Sequence, residues 1–200
     1  MILRQFIYPI KSIFRFGLSN HYQKLNYFDK LKNFHKSNDL NPIYLGRARY
    51  GIFLAIREII SISSRKRILT SPFTILDVLN CISAAGGEPV FYDFANEKTF
   101  FPDLKNIENL IKSRSFAAIV ITHYHFNYPE IDELLVLCKK YNVKVIEDCA
   151  IAYNTIYSDN KPVGTLADFS MFSNSLFKFS NFLWGGVLHV KSQDTFLKIK

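Results

Sequence analysis

The sequence has few cysteines, glycines and prolines and no long uninterrupted apolar run. Its three cysteines are odd in number and far apart, so they indicate neither a disulfide framework nor a zinc site. We expect them to be reduced thiols, which suits the cytoplasm. The 8 glycines and 7 prolines exclude a collagen-like or low-complexity chain. No window of about 18–20 apolar residues occurs, so a transmembrane segment is not expected.

Basic charge is concentrated near the amino terminus. The first 50 residues carry nine lysines and arginines against Asp29 and Asp39, whereas the rest of the chain is nearly neutral. This imbalance indicates a basic amino-terminal arm on a nearly neutral body. Such an arm could contact nucleic acid or an anionic membrane. It lacks base-stacking or lipid-inserting regularity, so a solvated extension is preferred and no nucleic-acid partner is expected.

The body alternates between helical and strand patterns. Apolar residues recur at helical spacing in four segments: 47–61, 74–85, 102–113 and 130–141. Short apolar strands are predicted between them: 67–70, 88–94, 116–122 and 143–148. Strands that are apolar throughout are buried on both faces, and crossovers of this length form parallel units. The fold class is therefore α/β, a three-layer domain with a mostly parallel sheet.

The pattern changes after Asp148. Two further strands, 168–173 and 185–190, flank a loop, and residues 192–200 resemble the first turns of a helix. Ligands of parallel sheets bind at the carboxyl ends of the strands. This rule points to residues 122–125 and to Asp148 as candidates for the functional site.

Three residues in this region are candidates for chemistry. Lys178 lies between Phe177 and Phe179, and an apolar setting favours the neutral amine that a Schiff base requires. A surface lysine beside two core phenylalanines is the alternative. Asp148 ends a buried strand, where it is placed to face a ligand or to cap a helix. Ser173 also ends a strand. Its hydroxyl could donate a hydrogen bond to a phosphate, or it could be an ordinary hydroxyl at a strand end.

The order of the segments resembles the DegT/DnrJ/StrS family of sugar aminotransferases. The resemblance covers about residues 42–192, so we divide the chain into the basic arm, residues 1–41, and a large domain, residues 42–200. Lys178 follows Ser173 by five residues, and Gly185 and Gly186 follow the lysine by seven and eight, as in the family. The other stretches that carry it are "GRARYGIFLAI", "SPFTILDVLNCISAAGGEPVFYDF", "VKVIEDCAIAY" and "VGTLADFSMFS".

The resemblance implies the large domain of a type I pyridoxal-phosphate-dependent transferase and a role for each matching residue. Lys178 would bond the cofactor covalently and move the proton between carbon atoms of the substrate adduct. Asp148 would hold the pyridine nitrogen. Ser173 and the backbone N–H groups near Ala48 and Arg49, at a helix N-terminus, would hold the phosphate. No metal is implied.

Several positions depart from the family pattern. Ile75 stands where the family often has an aromatic residue that stacks on the cofactor ring, although it also fits the apolar face of its helix. Arg47 and Arg49 replace the more usual Ser and Thr. Ile151 replaces a polar residue and Trp184 an acidic one. These changes motivate a second hypothesis, a catalytically weakened or inactive homologue that acts as a binding or regulatory module.

The implied reaction transfers an amino group from glutamate to a nucleotide-linked keto-sugar, in polysaccharide or other cell-surface glycan biosynthesis. The resemblance also implies a homodimer. Relatives on the same scaffold that dehydrate or epimerise sugars have histidine in place of the lysine, so Lys178 favours transamination. Family members are roughly twice this length, so we expect a C-terminal small domain to be missing from the chain.

Overall fold

The structure is a computed structural model that describes residues 38–96, 98–124, 129–152, 155–175 and 185–200. Residues from Asn41 to Lys200 form one compact unit. Lys178 and Trp184, both singled out above, lie outside the described residues, as does nearly all of the basic arm. Among the described helices, none combines the length and the apolar character that crossing a membrane requires.

The described residues form a seven-stranded mixed sheet. Its strands are β1 (Asn41–Leu45), β2 (Arg67–Thr70), β3 (Glu88–Phe91), β4 (Phe116–Thr122), β5 (Lys144–Asp148), β6 (Phe169–Ser173) and β7 (Gly186–Val190). The order across the sheet is β1-β7-β6-β5-β4-β2-β3. β2 to β6 run parallel, whereas β7 is antiparallel to both of its neighbours. The predicted, mostly parallel sheet is therefore confirmed.

Helices cover both faces of the sheet. They are α1 (Arg49–Ser61), α2 (Leu76–Ala84), α3 (Leu104–Ser113), α4 (Asp132–Lys140) and α5 (Gln193–Ile199). Apolar side chains of α1, α2 and α5 pack on one face, in a cluster that includes Ile56 and Ile146. Those of α3 and α4 pack on the other, in a cluster that includes Ile107 and Val145. These clusters give the three layers expected from the sequence.

The local sequence explains the best-formed elements. All residues of β4 except the last are buried, as its continuous apolar run predicts. Asp103 caps α3, because its carboxylate accepts hydrogen bonds from the backbone N–H groups of Lys105, at 2.9 Å, and Asn106, at 3.0 Å. One helical turn apart, Ile107 and Ile111 point into the core. Periodicity and capping therefore account for α3 without any reference to the rest of the chain.

β1 has no counterpart in the sequence prediction, and the bounds of β3 and α2 differ from it in ways that move individual residues out of the element. β3 ends at Phe91 rather than at residue 94, and Phe94 instead forms an isolated bridge with Pro102. α2 begins at Leu76, so Ile75 precedes it in an extended conformation and is 66% exposed. The expectation that Ile75 belongs to the apolar face of this helix was wrong, because that face starts at Val78.

Candidate functional site

A cavity of about 450 Å³ opens at the carboxyl edge of the sheet, between the ends of β5 and β6 and the first residues of α1 and α2. Its described lining residues are Arg47, Ala48, Arg49, Ile52, Ile75, Asp77, Val78, Asp148, Ala150, Met171, Ser173, Ser175 and Gly185. Five of the six site residues predicted from the sequence are among them. The sixth, Lys178, lies outside the described residues.

Asp148 is the last residue of β5 and one of the acidic groups of the cavity. Side chains alternate along a strand, so Ile146 and Asp148 point toward the face that carries α1 and α2. Asp148 is only 4% exposed, and its Oδ1 atom accepts a hydrogen bond from the backbone N–H of Ala150 at 3.1 Å. A buried carboxylate is therefore presented to the cavity, where it can pair with a cationic N–H group of a ligand.

The start of α1 also lines the cavity. Ala48 is the N-cap residue; it makes no side-chain capping hydrogen bond, and the first turn contains no acidic residue. A helix N-terminus carries a partial positive charge on its unpaired N–H groups. Ser173 lies at the same edge of the sheet, with its Oγ atom 3.0 Å from that of Ser175. This part of the cavity is suited to an anion.

Two glycines allow the α1 turn to approach the sheet. A Cβ atom on Gly186 would lie 2.5 Å from the Cα atom of Ala48, closer than any real contact, so only glycine fits. Gly185 has φ +114°, in the region that other residues rarely adopt. It forms an isolated bridge with Arg47. The glycine pair singled out in the sequence thus holds the α1 turn beside β6 and β7.

Residues that the sequence did not single out complete the cavity. The Nη2 atom of Arg49 lies 2.9 Å from the Oδ2 atom of Asp77, so an ion pair joins the starts of α1 and α2. Ser175 contributes a second hydroxyl. From the sequence, Asp77 resembles an ordinary acid in the first turn of a helix, which favours the helix dipole. Only the three-dimensional structure pairs it with Arg49.

Residues 122–125, at the end of β4, divide between two roles. His123 is buried on the face opposite the cavity, and its Nε2 atom lies 3.0 Å from Oε2 of the fully buried Glu147. The hydroxyl of Tyr124 donates a hydrogen bond of 2.6 Å to the carbonyl of Phe73, in the loop before α2. His125 lies outside the described residues. The side chains of His123 and Tyr124 therefore brace the fold around the cavity.

Glu147 is the centre of a buried polar cluster. It accepts hydrogen bonds from the backbone N–H groups of Gly164 and Ala167, each at 3.0 Å, and from the hydroxyl of Tyr157. Burial alone raises the pKa of this carboxyl, but the hydrogen bonds and charge of His123, with those of Tyr157 and Ala167, outweigh it and lower the pKa. Glu147 therefore fastens the segment between β5 and β6 to the sheet as a carboxylate.

The geometry agrees with a family-level match. The sequence profile of the DegT/DnrJ/EryC1/StrS aminotransferase family matches residues 11–195.

The chain belongs to the DegT/DnrJ/EryC1/StrS aminotransferase family.

Curated relatives of this family member include proteins named for nucleotide-linked amino sugars. The chain is 34% identical over 137 residues to the UDP-4-amino-4,6-dideoxy-N-acetyl-beta-L-altrosamine transaminase of Campylobacter jejuni, covering 68% of this chain and 36% of that protein. It is 30% identical over 152 residues to the GDP-perosamine synthase of Escherichia coli O157:H7, covering 75% and 41%. The chain thus spans well under half the length of these relatives.

Solved protein structures share the fold. The Helicobacter pylori aminotransferase PseC, described as involved in the biosynthesis of pseudoaminic acid, superposes with a TM-score of 0.72 at 26% identity. That match covers 80% of this chain and 42% of PseC. AtS13 from Actinomadura melliaura superposes with a TM-score of 0.74 at 22% identity, covering 96% and 52%. The DegT-family member described here therefore shares its fold with about half of the length of each of these two proteins.

Proposed function

We propose that the protein is a pyridoxal-phosphate-dependent aminotransferase that passes an amino group from glutamate to a nucleotide-linked keto-sugar. One observation carries the proposal: the buried carboxylate of Asp148 and the start of α1, which has no side-chain cap, line one and the same cavity. Pyridoxal phosphate has the complementary pair of groups, a basic ring nitrogen and a phosphate. The described residues therefore fit the cofactor that the family implies.

The ring end of the cofactor would lie at Asp148. When bound, pyridoxal phosphate supplies an aldehyde that condenses with amines and a ring that withdraws electrons from the carbon next to the nitrogen. Asp148 would accept a hydrogen bond from the ring N–H and keep that nitrogen protonated. Because Asp148 is almost fully buried, this charge pair is weakly screened by water. The backbone N–H of Ala150 orients the carboxylate.

The phosphate end would lie at the start of α1. The backbone N–H groups of Ala48 and Arg49 and the hydroxyl of Ser173 would donate hydrogen bonds to it, and the helix dipole favours a dianion there. The side chains of Arg47 and Arg49, which also line the cavity, add two positive charges. Charge-assisted hydrogen bonds of this kind are stronger than neutral ones.

Lys178 would bond the cofactor and transfer the proton. Its assignment is supported by its spacing from Ser173 and from the glycine pair, and by its flanking phenylalanines. An amine held in an apolar setting is deprotonated more easily, which it must be in order to act as a nucleophile and a base.

The substrates, assembly and location are proposed from the relatives. The name of one relative contains a UDP-linked amino sugar and that of another contains GDP-perosamine. These names support a nucleotide-linked sugar as the amino acceptor. The chain spans less than half of the length of each of those proteins. We further propose a homodimer in the cytoplasm, acting in polysaccharide or other surface-glycan biosynthesis.

A second candidate function is a weakened homologue that binds the cofactor or substrate without turnover. The specific observation in its favour is Ile75, which lines the cavity with an aliphatic side chain where the family often has an aromatic ring. An aliphatic residue gives the ring less contact area and no stacking. Ile151 and Trp184 add two further departures from the family pattern. Conversion of bound cofactor by glutamate would exclude this candidate.

The test is to locate the covalent bond between protein and cofactor. We expect purified protein incubated with pyridoxal phosphate and then reduced with borohydride to carry a pyridoxyl group, identified on Lys178 by peptide mass spectrometry. Lys178→Ala should abolish specific labelling, whereas Lys198→Ala, a change at an exposed lysine of α5, should preserve it. Labelling spread over many lysines, and unchanged in Lys178→Ala, would contradict the proposal.

A further inference from the structure

The cavity carries an ion pair whose role the cofactor site does not explain. Arg49 is the first residue of α1 and Asp77 the second of α2, and their side chains meet at 2.9 Å. Both residues line the cavity, and both side chains are partly exposed, at 43% and 37%. Asp77 is thus a second carboxylate in the cavity, in addition to Asp148.

The position of this second carboxylate among the charges of the cavity should affect the binding of an anion. Among the described lining residues, the charged side chains are Arg47, Arg49, Asp77 and Asp148. Asp148 is buried at the sheet end, whereas Asp77 is bonded to the arginine that begins α1. An anion at the start of α1 therefore finds the guanidinium of Arg49 already engaged by a carboxylate. The same carboxylate repels a dianion nearby, in a site only partly screened by water.

We infer that Asp77, acting through Arg49, sets the affinity of the cavity for the phosphate end of its ligand. The ligand class is a phosphate monoester dianion, so this inference rests on the proposed cofactor site. In this arrangement Arg49 is shared between Asp77 and the phosphate, and Asp77 lowers phosphate affinity below what two arginines and a helix N-terminus would otherwise give. Asp77 is then a specificity-determining residue without being a ligand of the cofactor.

A purely structural role for the pair predicts different behaviour. An exposed ion pair between two helices contributes little to stability. If the pair only joined α1 to α2, removing either partner would shift the unfolding midpoint slightly and change ligand affinity equally for all ligands. If the pair tunes phosphate binding, the effect appears only for ligands that carry the phosphate, and its sign differs between the two partners.

The experiment measures equilibrium binding of two probes by calorimetry at constant ionic strength. The probes are deoxypyridoxine phosphate, a cofactor analogue that lacks the aldehyde, and deoxypyridoxine, which also lacks the phosphate. Neither bonds a lysine, so the measurement is independent of Lys178. The variants are Asp77→Asn, Arg49→Gln and both together. Asp159→Asn is the matched control, because it also removes one exposed carboxylate from an ion pair, that with Lys161.

We expect Asp77→Asn to tighten binding of the phosphorylated probe about five-fold, a typical effect of one partly exposed charge. Arg49→Gln should weaken it about ten-fold, the loss of a charge-assisted hydrogen bond. In the double variant, Asp77→Asn should increase the affinity for the phosphorylated probe by less, because there is no Arg49 guanidinium to free from its ion pair. The probe without phosphate should bind all variants within about two-fold, and Asp159→Asn should match wild type.

The outcomes separate this inference from the proposed function. If wild type binds the phosphorylated probe but the Asp77 and Arg49 variants bind it equally well, the inference is overturned and the cofactor site survives. Weaker binding by Asp77→Asn would also overturn it, because the carboxylate would then be positioning Arg49 rather than competing for it. If wild type fails to bind the phosphorylated probe at all, the proposed cofactor site fails and the inference with it.

Discussion

Gly186 lies so close to Ala48 that a Cβ atom on the glycine would be 2.5 Å from the Ala48 Cα atom and 2.7 Å from its backbone nitrogen. The first residue of β7 and the turn that begins α1 are therefore in direct backbone contact. Ser173 pairs with Gly186 in the sheet. The same contact therefore brings together the hydroxyl and the backbone N–H groups that we propose donate hydrogen bonds to the phosphate. The geometry of this part of the cavity depends on this one missing side chain.

Replacing Gly186 by alanine tests that dependence. We expect Gly186→Ala to lower the free energy of unfolding by about 1–3 kcal/mol, because the added methyl group forces the α1 turn away from β7. Denaturant titration measures this loss. Gly46→Ala is the matched control, since a Cβ atom there meets nothing within 4 Å. Equal stability of the two variants would show that the turn can move aside freely, contrary to the packing described.

The lowered pKa of Glu147 should make the free energy of unfolding depend on pH. Its pKa is lowered in the folded protein, because hydrogen bonds from His123, Tyr157 and Ala167 overcome the effect of burial, which alone would raise it. The stability that its charge contributes is therefore complete above the unfolded-state pKa of about 4.3 and is lost as the pH falls through the folded-state value. We expect Glu147→Gln to be about 2–4 kcal/mol less stable than wild type at neutral pH.

Denaturant titrations from neutral to acidic pH provide the measurement. The stability difference between wild type and Glu147→Gln should narrow as the pH falls below about 4, where wild type loses the charge as well. Glu133→Gln, a change at an exposed residue of α4, serves as the control and should follow wild type throughout. A difference that stays constant down to the lowest pH would contradict the role given to the Glu147 carboxylate.

An aromatic residue in place of Ile75 should raise the affinity of the cavity for the cofactor analogue. It lines the cavity and is 66% exposed, so a larger ring at this position has room. We expect Ile75→Phe to tighten binding of deoxypyridoxine phosphate by about 2- to 10-fold, the range given by one aromatic stacking contact. Leu76→Phe is the control, because Leu76 is similarly exposed but is not among the cavity residues. The same change in both variants would mean that Ile75 does not face the cofactor.

Much of the fold could be predicted from local sequence. The apolar run of β4 and the helical spacing of Ile107 and Ile111 each carry their structural meaning within a few residues. The α/β class and the mostly parallel sheet follow from the alternation of such segments. Asp148 and Ser173 could also be predicted as site residues, since both end predicted strands and the carboxyl ends of parallel strands meet at one edge.

The rest depends on contacts between distant parts of the chain. β1 was not predicted, because its strand character comes from antiparallel pairing with β7, illustrated by the hydrogen bond of 3.0 Å from Asn41 Nδ2 to the carbonyl of Val190. The pair of Arg49 and Asp77 joins two helices across the cavity, and neither residue signals the other in sequence. Local pattern specified the elements, whereas their lateral pairing required the tertiary structure.

The central claim is that Asp148 faces the ring nitrogen of a bound pyridoxal cofactor. The most direct measurement is the nuclear magnetic resonance shift of that nitrogen in isotopically labelled deoxypyridoxine phosphate, bound to wild type and to Asp148→Asn. The buried carboxylate should keep the nitrogen protonated well above neutral pH in wild type, and the amide should leave it unprotonated. An identical nitrogen shift in both proteins would contradict the claim, because Asp148 would then not contact the ring.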